Sequence, residues 1–157
     1  MAKSTRATQA LAKAGIAFTV LSYDYESGAA RIGLQAAQAI DEPPARVLKT
    51  LMVVVDGKPA CAVVPSDGEL SMKRVATAFG GKTAAMMPPA EAEKTTGYHV
   101  GGISPFGSRK RVPVALEAAA VAEPYVIING GQRGVMVRLA PADAVRVLGA
   151  VVAALVA

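Results

Sequence analysis

The segment Thr50-Leu-Met-Val-Val-Val55 runs without a polar break into Asp56-Gly57. A continuous apolar run of this length, rich in β-branched residues, reads as a strand covered on both faces. Asp-Gly is a two-residue hairpin signal, and Ala60-Cys-Ala-Val-Val64 then pairs back on the first strand. A strand hidden on both sides needs material above and below it. Hydrophobic residues make up 52% of the 157, which suffices for a continuous core. With 4% aromatics and no Trp, that core is built mainly from Ala, Val, Leu, Ile and Met.

The flanking sequence supplies helices and further strands. Residues Thr5 to Ala14 read as a helix capped by Ser4 or Thr5 and closed by Gly15. Ile16 to Tyr23 reads as a strand, Glu26 to Ala30 as a loop and Gly33 to Ile40 as a short helix. Pro43-Pro44 is expected to open a helical turn that delivers the chain to Lys49. Ser71 caps a helix to Phe79, Thr83 to Met86 is a short strand, and Pro88-Pro89 opens a helix to about Thr95. Tyr125–Asn129 and Val135–Leu139 are strands around a glycine-rich turn, and Pro141 starts a helix through Leu148. Elements of both kinds alternate without a strict βαβ rhythm. The expected fold is therefore α/β, a mixed and curled sheet surrounded by helices. No repeat or low-complexity linker divides the chain, so residues 1–157 are expected to form a single domain.

Most familiar catalytic sets are missing. His99 is the only histidine, which excludes a two-histidine metal site, and neither a dinucleotide fingerprint nor a phosphate-binding loop motif is present. Gly81-Lys82-Thr83 follows a helix rather than a strand and is a chance match. Cys61, the one cysteine, excludes an internal disulfide and reads as a small core residue, although a Cys61–His99 dyad is conceivable on composition alone. No signal-peptide core follows the polar start of the chain, and the apolar stretch Val147–Ala157 is too short to span a bilayer. It is expected to dock on the fold, in a cytoplasmic protein without membrane contact.

Three features retain two readings each. Lys49 guards a very apolar strand, either as a gatekeeper against aggregation or as the cation of a cleft. Gly101-Gly-Ile-Ser-Pro105 is either a plain turn or a loop whose backbone amides cradle an anion. Arg109-Lys110-Arg111 suits a phosphate backbone as well as a solvated turn, in a chain whose net charge is +5.

Thr5–Phe18, Arg46-Val-Leu-Lys-Thr-Leu51, Gly97-Tyr-His-Val-Gly-Gly-Ile-Ser-Pro-Phe-Gly107 and the Gly-Gly-Gln-Arg-Gly134 turn together resemble the YbaK family of Cys-tRNA(Pro) deacylases. That family is similar to the editing domain of bacterial prolyl-tRNA synthetases. The resemblance covers essentially the whole chain. It implies a barrel-like mixed sheet with helices outside it and an enzyme that removes cysteine from mischarged tRNA(Pro) in trans. Such an enzyme uses no cofactor and no metal. It holds the aminoacyl-tRNA 3′ end and has prolyl-tRNA synthetase as a possible partner. Lys49 matches the family's essential lysine, and Gly101, Gly102, Ile103, Ser104 and Pro105 match its substrate loop. Tyr23, Ile32 and Thr50 match pocket-lining positions. Asn129 stands just before the turn in place of a Ser, while Met136 and Arg138 replace two acidic residues. The attack expected on the ester comes from the substrate's own thiol. The same fold acting on alanine- or serine-charged tRNA, and a non-catalytic module that binds tRNA or a synthetase, are the alternatives.

Overall fold

The computed structural model describes residues 4–25 and 32–157, with the backbone alone at residues 32 and 33. At its centre stand β2 (Val47–Val55) and β3 (Lys58–Pro65), paired antiparallel about Asp56-Gly57 with Met52 opposite Cys61. Alternation decides what each face buries. Leu48 and Met52 of β2, with Cys61 and Val63 of β3, enter one core cluster. Val53, Val55, Ala60, Ala62 and Val64 enter another on the opposite face. The central hairpin is thus covered on both sides.

The remaining elements in chain order are α1 (Arg6–Lys13), β1 (Thr19–Ser22), α2 (Ile32–Ala39), α3 (Met72–Ala78), β4 (Ala84–Met86), α4 (Pro89–Thr96), β5 (Val114–Glu117), α5 (Ala118–Val121), β6 (Val126–Gln132), β7 (Val135–Leu139), α6 (Pro141–Leu148) and β8 (Val151–Ala153). The strands form one sheet in the order β1-β7-β6-β2-β3-β5-β8, and β4 adds to β2. Pairs β2–β6, β3–β5 and β5–β8 are parallel and the others antiparallel, so the sheet is mixed as the sequence implies.

Local chemistry explains the helix ends. Thr5 caps α1 by accepting from Thr8 N at 3.1 Å, and the Thr8 hydroxyl accepts from Thr5 N at 2.8 Å. The Thr5 hydroxyl also donates to Gly130 O at 2.5 Å, tying α1 to β6. Pro141 stands in the first turn of α6, and Gly149 closes that helix in the left-handed region.

Several boundaries depart from the sequence reading. Residues 44–46 form a turn rather than helix, and β2 begins at Val47, so Lys49 lies inside the strand. Strand β1 is confined to Thr19–Ser22, because the chain after α1 first folds back through Ile16 N to Leu11 O. Strand β5 and helix α5 arise within Val-Ala-Leu-Glu-Ala-Ala-Ala, which carries no strand periodicity; parallel pairing with β3 imposes the extended form. The apolar tail docks as β8 on β5, and Leu70 bridges Val156.

Glu117 fastens that tail. It is 6% exposed, and its carboxylate accepts from Leu155 N at 2.8 Å, Val156 N at 2.9 Å and Ala119 N at 3.1 Å. Burial alone raises this carboxyl, but the three amide donors and nearby Arg74 outweigh it and hold it below the usual glutamate range. A carboxyl lowered on folding contributes stability above its unfolded value and loses that contribution as pH falls through the folded one. Glu117→Ala strands buried amides and is expected to cost about 1–3 kcal/mol, or about 2–4 °C of Tm per kcal/mol at this size. Thermal melts should show the deficit at neutral pH and the two proteins converging in acid.

Candidate functional site

Lys49 pairs across the hairpin with Val64, and both Lys49 and Thr50 are partly exposed where the rest of β2 is largely buried. They open onto a cleft of about 580 Å³. Val100, Gly101 and Ile103 of the loop after α4 line it as well, with Asn129 of β6, Met136 of β7 and Tyr23, which follows β1. Residues distant in sequence meet here because β2 lies beside β6 and β6 beside β7. The Thr50 hydroxyl oxygen is buried and makes no hydrogen bond among the described residues. Burial, with the nearby Tyr25, pushes the Tyr23 hydroxyl above its ordinary value.

The loop is held from both flanks. Glu93 accepts from Val100 N at 2.8 Å, and this amide, with His99 and Arg133 close by, keeps the Glu93 carboxyl below its usual range against the opposing effect of burial. Arg133 donates from Nε to Val100 O at 2.8 Å while its guanidinium lies over the Tyr25 ring. Asn129 donates from Nδ2 to Gly101 O at 3.1 Å and accepts from Gly131 N at 2.7 Å. One side chain therefore secures the loop and the irregular stretch of β6 together. Gly101 has φ +92°, and a Cβ there would stand 2.7 Å from the Tyr25 hydroxyl. Gly102 N is already bonded to His99 O at 2.8 Å, whereas the amides of Gly101 and Ile103 have no acceptor among the described residues.

Of the residues singled out from sequence, Tyr23, Lys49, Thr50, Gly101, Ile103 and Asn129 share this cleft. Gly102 instead backs onto residues 132–133, and Ser104 and Pro105 line a second cavity of about 290 Å³ with Cys61, Phe106 and Val114. The side chain of Ile32 lies outside the described residues. Sequence reasoning passed over Asp67, Glu69, Met86 and Met87, which also line the cleft. The polar turn Ser66-Asp-Gly-Glu69, directly after an apolar strand, is the signal that could have found the first two.

Cys61 and His99 do not form a dyad. Cys61 is 2% exposed and burial pushes its thiol up to about 12, while the His99 side chain is 85% exposed and lies 3.5 Å from Glu93. Arg109 and Lys110 are anchored by their backbone amides to Thr96 O and Thr95 O, leaving exposed side chains just past α4. Among the described residues no three metal-ligating side chains cluster, and no helix is long and apolar enough to cross a membrane.

The chain resembles known proteins in sequence and in fold. Residues 27–147 match the family model described as aminoacyl-tRNA editing domain. EbsC of Enterococcus faecalis, provisionally named a Cys-tRNA(Pro)/Cys-tRNA(Cys) deacylase, is 37% identical over 106 residues, spanning 67% of this chain and 65% of EbsC. The proline–tRNA ligase of Acidithiobacillus ferrooxidans is 29% identical over 87 residues, spanning 55% of this chain and 15% of the ligase. A crystal structure provisionally described as a trans-editing enzyme for prolyl tRNA synthetase superposes with TM-score 0.85 over 99% of both chains at 24% identity, which establishes the shared fold.

Proposed function

Since the chain belongs to the aminoacyl-tRNA editing domain family, we propose that it is one editing domain over residues 1–157 that removes cysteine from mischarged tRNA(Pro) in trans. The observation that carries this reading is the shared cleft, which Lys49 lines together with Gly101 and Ile103. A cation lining the same cleft as two amides that have no acceptor among the described residues suits an acyl ester whose carbonyl oxygen gains negative charge.

The need for such an enzyme is physical. Cysteine and proline are similar in volume, and a synthetic pocket separates such a pair by only about 1–3 kcal/mol, so accuracy requires a second site. Among the described residues that line the cleft there is no cysteine or histidine, and Cys61 lies outside it with its thiol pushed up by burial. The substrate supplies the nucleophile. Its thiol sulfur attacks the ester carbonyl, the carbon–oxygen bond to the terminal ribose breaks, and the thiol proton passes to the departing ribose oxygen. Free tRNA and a cyclic thioester result, and water opens the latter to cysteine. The protein need only hold the acyl group folded for attack, an effect that reaches about 7–11 kcal/mol in well-oriented cases. In this scheme Lys49 polarises the carbonyl or holds the terminal phosphate, and the amides of Gly101 and Ile103 receive the oxyanion. Asn129 holds the loop in place. Prolyl-tRNA synthetase is the partner proposed to supply tRNA identity.

A second reading draws on the floor of the cleft. Met136 is buried and, with Met52, Met86 and Met87, lines the cavity with neutral thioethers. Such a surface accepts a small apolar side chain, so alanine-charged tRNA cleaved by water is the alternative substrate.

A panel of tRNAs charged with cysteine, S-methylcysteine, serine and alanine separates the readings. Cysteinyl-tRNA is expected to lose its ester at least tenfold faster than the other three. Equal loss from S-methylcysteine removes the thiol mechanism, a preference for alanine selects the second reading, and turnover of none leaves only a binding module.

A further inference from the structure

The cleft has a further polar stretch of lining. Ser66, Asp67, Gly68 and Glu69 line it from the turn after β3, which begins two residues past the Lys49–Val64 pair. The turn is fastened rather than loose. Ser66 N donates to Val47 O at 2.8 Å, Gly68 N to Pro65 O at 3.0 Å and Ala157 N to Glu69 O at 2.9 Å, while Leu70 bridges Val156. Neither the Asp67 nor the Glu69 carboxylate enters an ion pair among the described residues.

Two carboxylates on the lip of a cleft that takes the end of a polyanion weaken binding by like-charge repulsion. A cation offsets that repulsion: Lys49 lines the same cleft, and an occupant with a positive charge of its own adds to the effect. The acylated end of a tRNA carries one, the α-ammonium of the amino acid beside the ester. Among the described lining residues the only other charge is Lys49, which repels an ammonium, and the wall at Met136 offers none. We infer that Asp67 and Glu69 receive the α-ammonium of the acyl group and set its orientation toward Lys49 and the loop, an assignment that rests on the deacylase reading. An amino acid anchored at its ammonium and its carbonyl has its side chain placed by its own chirality. The two carboxylates are thereby specificity-determining residues for free α-amino acids against N-blocked ones.

The test compares cysteinyl-tRNA with N-acetylcysteinyl-tRNA, which keeps ester and thiol and lacks the positive charge. Wild type is expected to prefer the free amine by about tenfold or more in kcat/KM, the range of a hydrogen-bonded charge contact. Asp67→Asn/Glu69→Gln should lose most of that preference by slowing on the free amine, with its rate on the acetylated ester unchanged or raised. Each single variant, checked by thermal melting, should show part of the same loss. Turnover of the acetylated ester by wild type at the rate of the free amine overturns the inference, as does a double variant that keeps the preference. Turnover of neither ester by wild type overturns the cysteine-deacylase reading and this assignment with it.

Discussion

Lys49→Met is expected to reduce kcat/KM for cysteinyl-tRNA by about a hundred- to a thousandfold, the range for losing one electrostatic group aimed at developing charge. Methionine keeps an apolar stem beside Leu48 and Leu51, so the substitution isolates the ammonium. The kinetic form of the loss identifies the contact. A drop mainly in kcat places the ammonium on the carbonyl oxygen; a rise mainly in KM that shrinks at high salt places it on the terminal phosphate. Lys49→Arg restores charge with a different shape and should recover only part of the activity. Undiminished kcat/KM in Lys49→Met removes Lys49 from the mechanism and returns it to the role of gatekeeper on β2.

Gly101→Val is expected to produce the second large loss, about a hundredfold in kcat/KM, the scale on which misplacing a reacting group by an ångström acts. Two independent causes converge at this residue. A side chain at φ +92° is strained, by about 1–3 kcal/mol for backbone of this kind, and its Cβ meets the Tyr25 hydroxyl. Tyr25→Ala in the same chain removes the collision but not the strain, so it should return part of the activity and no more. Because Asn129 and Arg133 still hold the loop's carbonyls, the variant should remain folded with a Tm near that of wild type. Wild-type kinetics in Gly101→Val would show that the loop takes no part in the reaction.

The hairpin, α1 with its Thr5 cap and the Pro141 helix are all legible in the residues, because each is decided by its own neighbours. Strand β5 was not. Val114–Glu117 runs into five consecutive Ala or Val residues and carries a helix-like composition, and its parallel partners β3 and β8 hold it extended. Pro43-Pro44 misled for the opposite reason: proline is compatible with a first helical turn, yet the carbonyls there are taken by Ser66 and Arg46 rather than by a growing helix. In the cleft, Lys49 and Gly101 stood out as residue types that need a reason. Asp67 and Glu69 did not, since a polar turn is where unremarkable carboxylates usually sit. The role of Asn129 as a brace was hidden too, because its partner at Gly101 is close only after β6 has taken its place beside β2.

Strand β1 has a consequence for how the protein is made. Thr19 pairs with Arg138, so one of the first strands to leave the ribosome has no strand partner among the described residues until β7 follows it. At about 5–20 residues per second that wait is on the order of ten seconds. Through this interval Tyr23 and Met136 are apart and the cleft does not exist. A nascent chain halted before β7 would carry Lys49 and the glycine loop yet hold no binding competence, and premature termination in that window should yield inert, aggregation-prone fragments rather than weakened enzyme.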